Sequence, residues 1–414
     1  MMKIRQIICL TGLYILIFTS SSFSQNNYFR YKFLNLPGNR FSNIEDTLHY
    51  RRLMKKFSNK CLTDTTTINI LQMGDSHMQA GFYSNEIRKN LHNYFSNDTL
   101  ANLGFIFPYS AAKTNNPGHY KVESSGRWFS CKAVERKPCS HLGLSGINLK
   151  TRDTLAKLKI KIRDYFPYLD YPVKKAEFFC NYPDSVYNMS INGQNIQNRR
   201  NKNTVQIRFE EPTDSIFLEV RRKETRDSSW FRLSGIVINH KENGINYHGI
   251  GVNGATVNSY LKCDLLPIHL KRLQPDWVII SLGTNEAYSR SFAGERFYND
   301  LTKLIGIIQQ HTNDAWILLT IPGHALREGK YKNPNNAQAR NQIIRAANDY
   351  DCGYWDFYSI MGDTDAINKW SKENLTASDK LHLKKAGYQL KANLFFDAFL
   401  KNFHSYFEHD FLKR

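Results

Sequence analysis

Two short segments near opposite ends of the chain hold residue types that together can cleave an ester: Gly74-Asp75-Ser76-His77 and Asp379-Lys380-Leu381-His382. A serine hydroxyl is a weak nucleophile near neutral pH, so it needs an imidazole to take its proton and a carboxylate to hold that imidazole. The Asp-x-x-His spacing within one turn sets both side chains on one side, so Asp379 can receive His382 Nδ1 while Nε2 faces a serine. The chemistry also needs donors aimed at the developing oxyanion. Two further segments, Gly283-Thr284-Asn285-Glu286 and Gly249-Ile250-Gly251-Val252, carry an amide side chain and glycine amides. Each segment alone has a plainer reading: Asp and Ser cap helices, Asp-x-x-His suits a surface pair, and Asn and Gly form turns.

The surrounding elements give these residues a place. Thr66–Met73, TTINILQM, reads as a buried parallel strand ending at the Ser76 turn, and residues 79–95 show helical spacing. From Tyr247–Val252 onward strand and helix alternate: helix 256–272, strand Trp277–Leu282, helix 291–311, strand Trp316–Ile321, helix 335–350, strand Gly353–Phe357 and helix 384–404. Such alternation predicts an α/β fold with a parallel sheet covered on both faces. In such sheets sites gather at the carboxyl ends of the strands, which selects Ser76, Gly251, Asn285 and the loop near His324. Between about His119 and Asn243 the pattern changes to short alternating runs, Lys157–Ile162, Lys175–Phe179, Thr204–Phe209 and Ser215–Val220, with turn signals such as Asn192-Gly193. This predicts an all-β domain inserted into the α/β fold. Residues 25–60, with an amphipathic pattern around Leu48–Phe57, read as an N-terminal extension packed on the main domain.

Taken in order, the four segments resemble the conserved blocks of the SGNH (GDSL-type) hydrolases: Gly74-Asp75-Ser76-His77 the first, Gly249 to Ala255 the second, Gly283-Thr284-Asn285-Glu286 the third and Asp379-Lys380-Leu381-His382 the last. The resemblance implies a three-layer α/β/α sandwich with a parallel sheet. It also implies Ser76 as nucleophile, His382 as acid and base, Asp379 as its partner, and the Ser76 amide, Gly251 amide and Asn285 side chain as oxyanion hole. His77 stands where a leucine is common and Glu286 where an aspartate is frequent. With Gly-Thr-Asn-Glu-Ala, Leu103–Tyr109 (LGFIFPY) and the β insertion, these departures resemble the peptidoglycan O-acetylesterases, whose insertion is similar to a carbohydrate-binding jelly roll. The expected division is therefore a signal peptide at 1–24, the extension at 25–60, a hydrolase domain at 61–118 and 246–414, and the inserted β domain at 119–245. His77 is expected to support the serine turn, with contact to substrate as its alternative. His324 is expected at the surface, with lining the cleft as its alternative, and Trp128, Phe129, Trp230 and Phe231 in the β core, with sugar stacking as their alternative role.

Composition sets the setting. Lys3 and Arg5, the apolar run Ile7–Phe18 and small residues to Ser24 have the order of a secretory signal, and the apolar run is short for the roughly 20 residues a bilayer needs. No later run is apolar enough to span, so a periplasmic or cell-envelope protein without a membrane span is expected. The formal charge is +19, and +17 once Lys3 and Arg5 leave with the signal, which favours an anionic partner such as a cell-wall glycan. Basic residues are scattered and no nucleic-acid signature accompanies them, so nucleic acid is not expected. Six cysteines would survive cleavage; their pairing is not fixed by spacing, with Cys131 and Cys139, the nearest, favoured. No Cys-x-x-Cys or His-x-x-x-His spacing suggests a metal, and no cofactor is expected. The expected activity is removal of O-acetyl groups from a glycan, peptidoglycan above others. Its alternatives are an esterase or acetyltransferase on another carbohydrate or a lipid, and a non-catalytic glycan-binding envelope protein.

Overall fold

The computed structural model describes residues 28–408 apart from 45–46, 64, 97–99, 138, 164–169, 197–202 and 363–364. The expected signal segment, 1–24, lies outside the described residues. Strands buried on both faces must be covered on both faces, and Trp277–Ser281 and Trp316–Thr320 are apolar along almost their whole length. They sit at the centre of a six-stranded sheet ordered Phe41–Ser42, Gly353–Trp355, Trp316–Thr320, Trp277–Ser281, Thr67–Gly74, Gly244–Gly251. Five strands run parallel, and Phe41–Ser42 closes one edge antiparallel to Gly353–Trp355.

Successive residues of these strands point to opposite layers. Trp277, Ile279, Trp316 and Leu318 pack with Phe57, Phe95 and Phe395, which come from the helices Leu48–Leu62, Phe82–Phe95 and Lys385–Tyr406. Val278, Ile280, Ile317 and Leu319 pack with Leu304, Ile305 and Ile343 from the helices Gly294–His311 and Asn335–Asp349. The result is the expected α/β/α layering. Among the described residues, no helix is long and apolar enough to cross a membrane. Two predicted helices are broken. The one expected over 256–272 divides into Val257–Leu261 and Leu266–Leu273, with Pro267 in the first turn of the second. The one expected over 79–95 divides at Gly81, whose φ of 77° ends the short helix Ser76–Gln79.

Between the strands Thr67–Gly74 and Gly244–Gly251 the chain builds two antiparallel sheets. One is ordered Gln194–Ile196, Tyr187–Ile191, Ser215–Arg222, Leu155–Ile162, Tyr120–Ser125; the other Thr204–Thr213, Val173–Asn181, Phe231–Asn239, Ile147–Thr151, Phe129–Lys132. The alternating burial of Leu155–Ile162 shows one face inward and one in solvent. Asn192 and Gly193, at φ 47° and 79°, make the two-residue hairpin their sequence predicts. Gly104–Ile106, inside the LGFIFPY segment, hydrogen-bonds into the second sheet along Phe231–Asn239. Cys131 and Cys139 form a disulfide with a Cα separation of 5.9 Å. The helix Leu266–Leu273 joins this sheet to the α/β layers: the His269 ring lies 4.5 Å from that of Phe179, and Arg272 grips buried Glu177 at 2.5 and 3.1 Å.

Candidate active site

Ser76 opens a short helix directly after the central strand Thr67–Gly74, with buried Asp75 as its cap, the Asp75 carboxylate accepting the His77 amide at 2.9 Å. The 379–382 turn lies just before the long C-terminal helix and is folded by Lys380 at φ 47°. It brings His382 Nε2 to 2.9 Å from Ser76 Oγ, and His382 Nδ1 to 2.7 Å from Asp379 Oδ2. Asp379 Oδ1 also accepts the amides of Leu381 and His382, each at 3.0 Å, so one carboxylate oxygen holds the turn and the other holds the ring. A carboxylate only accepts, so Nδ1 carries the proton and Nε2 presents a lone pair to the hydroxyl. Partial burial pushes the Asp379 carboxyl up, but the hydrogen bonds from the His382 side chain and backbone and from Leu381 outweigh it and hold the group below the usual carboxylate range. This arrangement can take the Ser76 proton and balance the imidazolium that results.

Gly251 ends the edge strand Gly244–Gly251, level with Gly74 on its neighbour. A Cβ there would stand 2.3 Å from Gln79 N and 2.5 Å from Asp75 O, so only glycine lets this strand end lie against the serine turn. Buried Gln79 ties the adjoining loops together. Its carbonyl accepts the Asn253 amide at 2.7 Å, and its Nε2 donates to Thr114 Oγ1 and Asn115 O, each at 2.9 Å. The Tyr109 hydroxyl donates to Gly251 O at 2.8 Å from the far side. Asn285 lies in the first turn of Thr284–Tyr288, where its Nδ2 donates to Ala255 O at 2.8 Å and to Asp75 Oδ2 at 3.3 Å. The four segments are thus brought together, with the Asn285 amide nitrogen already engaged by two acceptors.

A small cavity opens between the residues flanking Ser76 and the C-terminal helix. Asp75, His77, Thr284, Thr320, His324 and Lys391 supply its polar wall. Burial raises the Asp75 carboxyl to about 6 against the lowering pull of the His77 amide, Lys391 and His382. Burial also lowers Lys391 to about 8, and raises Glu286, which accepts the Val257 amide at 2.6 Å, to about 7. His77 is held well below its usual value, first by burial and then by the charges of Lys391 and His382; its Nδ1 lies 2.9 Å from the Tyr388 hydroxyl. His77 therefore meets the C-terminal helix, as a residue that braces the serine turn would. Asp75, Gln79, Tyr388 and Lys391 were not singled out from sequence. The available signal was a charged residue, Lys391, on the buried side of an apolar helix.

Of the two readings of His324 the surface one is corrected and the cleft-lining one fits: it is buried against this cavity, because the loop after Trp316–Thr320 folds under the 379–382 turn, with Leu326 N donating to Lys380 O. The aromatic pairs divide. Trp128 and Phe231 are core, whereas Phe129 is 50% exposed and meets half-buried Trp230 edge to face at 5.6 Å. Placing Phe129 and Trp230 in the core is thus corrected: strand alternation turns one member of each adjacent pair outward.

The GDSL-like lipase/acylhydrolase family model matches residues 214–390, a span that holds Gly251, Asn285, Asp379 and His382 but not Ser76. Among solved structures, a peptidoglycan O-acetylesterase superposes with a TM-score of 0.68 at 20% identity, covering 85% of this chain and 96% of its own. An acetyl xylan esterase matches at 20% identity and a TM-score of 0.31, over 37% of this chain and 81% of its own. A GDSL-like lipase from Parabacteroides merdae matches at 22% identity and 0.32, over 37% and 72%. No curated protein sequence matches.

Proposed function

Starting from a chain that belongs to the SGNH, or GDSL-type, hydrolases and is a serine esterase, we propose that it is exported and removes O-acetyl groups from a cell-wall glycan, peptidoglycan before others. The observation that carries the reading is the contact chain from Ser76 Oγ through His382 to Asp379, at 2.9 and 2.7 Å. Ser76 attacks the acetyl carbonyl while His382 Nε2 takes its proton. The tetrahedral oxyanion is met by the Ser76 and Gly251 amides and by Asn285 Nδ2. His382 then protonates the departing sugar oxygen, which leaves as a hydroxyl, and water, deprotonated by the same nitrogen, releases acetate from the acyl-serine.

The substrate class rests on three supports. The similar fold of a peptidoglycan O-acetylesterase extends over 85% of this chain and 96% of its own. We read 119–245 as a separate inserted domain of jelly-roll type whose outward aromatic and basic residues contact glycan. The net charge, +19 for the full sequence and +17 without Lys3 and Arg5, suits an anionic polymer.

Mature protein incubated with O-acetylated peptidoglycan, acetylated xylan and a chromogenic acetate ester should release acetate fastest from peptidoglycan. Ser76→Ala should lose roughly 10⁴-fold or more. Release from xylan alone overturns the substrate, and equal rates in the variant overturn the nucleophile.

A further inference from the structure

The long C-terminal helix Lys385–Tyr406 sends two side chains, three residues apart and so on one face, toward the residues flanking Ser76. Tyr388 meets His77, and Lys391 reaches the cavity that Asp75 also lines. Lys391 is 92% buried by its 8% exposure, and its ammonium rests over the rings of Tyr83 at 4.8 Å and Phe357 at 4.7 Å. A cation placed so deep needs a counter-charge, and the carboxylate across the cavity is Asp75. Asp75 in turn accepts Asn285 Nδ2.

We propose that Lys391 is a positioning residue: across the cavity it keeps Asp75 a carboxylate, a pure acceptor that pins the nitrogen end of the Asn285 amide beside the serine turn. This rests on the reading of Asn285 as oxyanion donor. An Asn side chain can turn over, exchanging its donor and acceptor ends. Two acceptors, Ala255 O and Asp75 Oδ2, fix the donor end in place, and the longer contact, 3.3 Å to Asp75, is the one a developing oxyanion can share. A protonated Asp75 is no longer a pure acceptor, so the Asn285 nitrogen is held by Ala255 O alone and the donor end loses the contact that keeps it beside the serine turn.

The sign follows from the charges around Asp75: His77 and His382 beside it, Glu286 and Tyr260 on neighbouring elements, and Tyr388 and Lys391 on the C-terminal helix. Lys391 opposes the burial that raises this carboxyl, so deleting the cation raises it further, and the carboxylate is lost at a higher pH.

The test is the pH profile of kcat on a chromogenic acetate ester for the mature protein, Lys391→Met and Lys391→Arg. The acid limb of Lys391→Met should move up by about one pH unit, with rates converging on wild type near pH 8.5, where Lys391 itself loses its charge; Lys391→Arg should keep the wild-type limb. Lys391→Gln repeats the comparison if the Met variant does not fold. An unmoved limb in folded Met or Gln variants, or a loss equal at all pH values, overturns the proposal. Asn285→Ala in parallel separates the two readings: full activity in that variant sinks the oxyanion assignment, whereas a large loss beside an unmoved Lys391→Met limb sinks only the role of Lys391.

Discussion

At Asn285 one amide nitrogen serves two acceptors, and its worth to the reaction depends on how readily one of those hydrogen bonds is shared with a negative oxygen. The contact to Ala255 O at 2.8 Å is short and anchoring, while the one to Asp75 at 3.3 Å is long and cheap to share. Asn285→Ala is therefore expected to lower kcat by about 10²–10³-fold, roughly 2.7–4 kcal/mol, with KM little changed, since the lost hydrogen bond matters at the tetrahedral stage. Steady-state kinetics on a soluble acetate ester checks this; a loss confined to KM would remove Asn285 from the oxyanion hole. That the segments of Ser76, Asn285, Asp379 and His382 belong to one site was legible from their order and their resemblance to four family blocks, since each segment alone also reads as a cap, a turn or a surface pair. Lys391 was not, because among Leu390, Ala392 and Leu394 a lysine reads as the edge of a helix face until the cavity beneath it is seen. His324 misled for the converse reason: a loop residue after a strand has no pattern by which burial can be read.

The helices of one layer exist to cover the tryptophan face of the sheet. Phe57, from the helix Leu48–Leu62, lies 4.8 Å from both Phe95 and Phe399 and meets Trp277 edge-on at 6.4 Å. It is fully buried, so the N-terminal extension is part of the core rather than an appendage. Phe57→Ala should cost about 3–5 kcal/mol, measured by urea denaturation, with kcat of the folded fraction unchanged because its ring partners, Phe95, Trp277, Phe399 and Phe403, belong to the core and not to the site. A cost under about 1 kcal/mol would mean the extension packs loosely. The amphipathic pattern around Leu48–Phe57 announced this helix, and the alternation of strand and helix announced the sheet. The antiparallel edge Phe41–Ser42 gave no such notice, since two residues are too few for any period. The break at Gly81 and the split of 256–272 passed unseen for a related reason: side-chain spacing stays nearly helical across them while the backbone turns.

At the scale of the whole molecule, the active-site turn and the second antiparallel sheet are linked through one loop. Asn115 contacts Gln79 and Asn253 near Gly251, and Ser130, next to Phe129, donates to Ala112 O in the same stretch of chain. On that sheet Phe129 pairs across from Lys150, which pairs across from Arg232, and Trp230 lies beneath the cations of Lys150 at 4.7 Å and Arg152 at 4.1 Å. The alternation that buries Trp128 and Phe231 thus turns an aromatic and basic strip outward. Apolar surface beside cations suits a polymer that carries both sugar faces and carboxylates, and is of little use for a small neutral ester. Phe129→Ala with Lys150→Glu should therefore lower kcat/KM on insoluble peptidoglycan by roughly 10-fold, about 1.4 kcal/mol, and leave the chromogenic ester untouched. The wild-type rate on the polymer should also fall with added salt while the small-ester rate holds, because screening acts on long-range attraction to an anionic surface and not on a reaction within the site. Parallel losses on both substrates would place the strip in folding or catalysis, and no loss on either would leave the basic charge without a partner on this face.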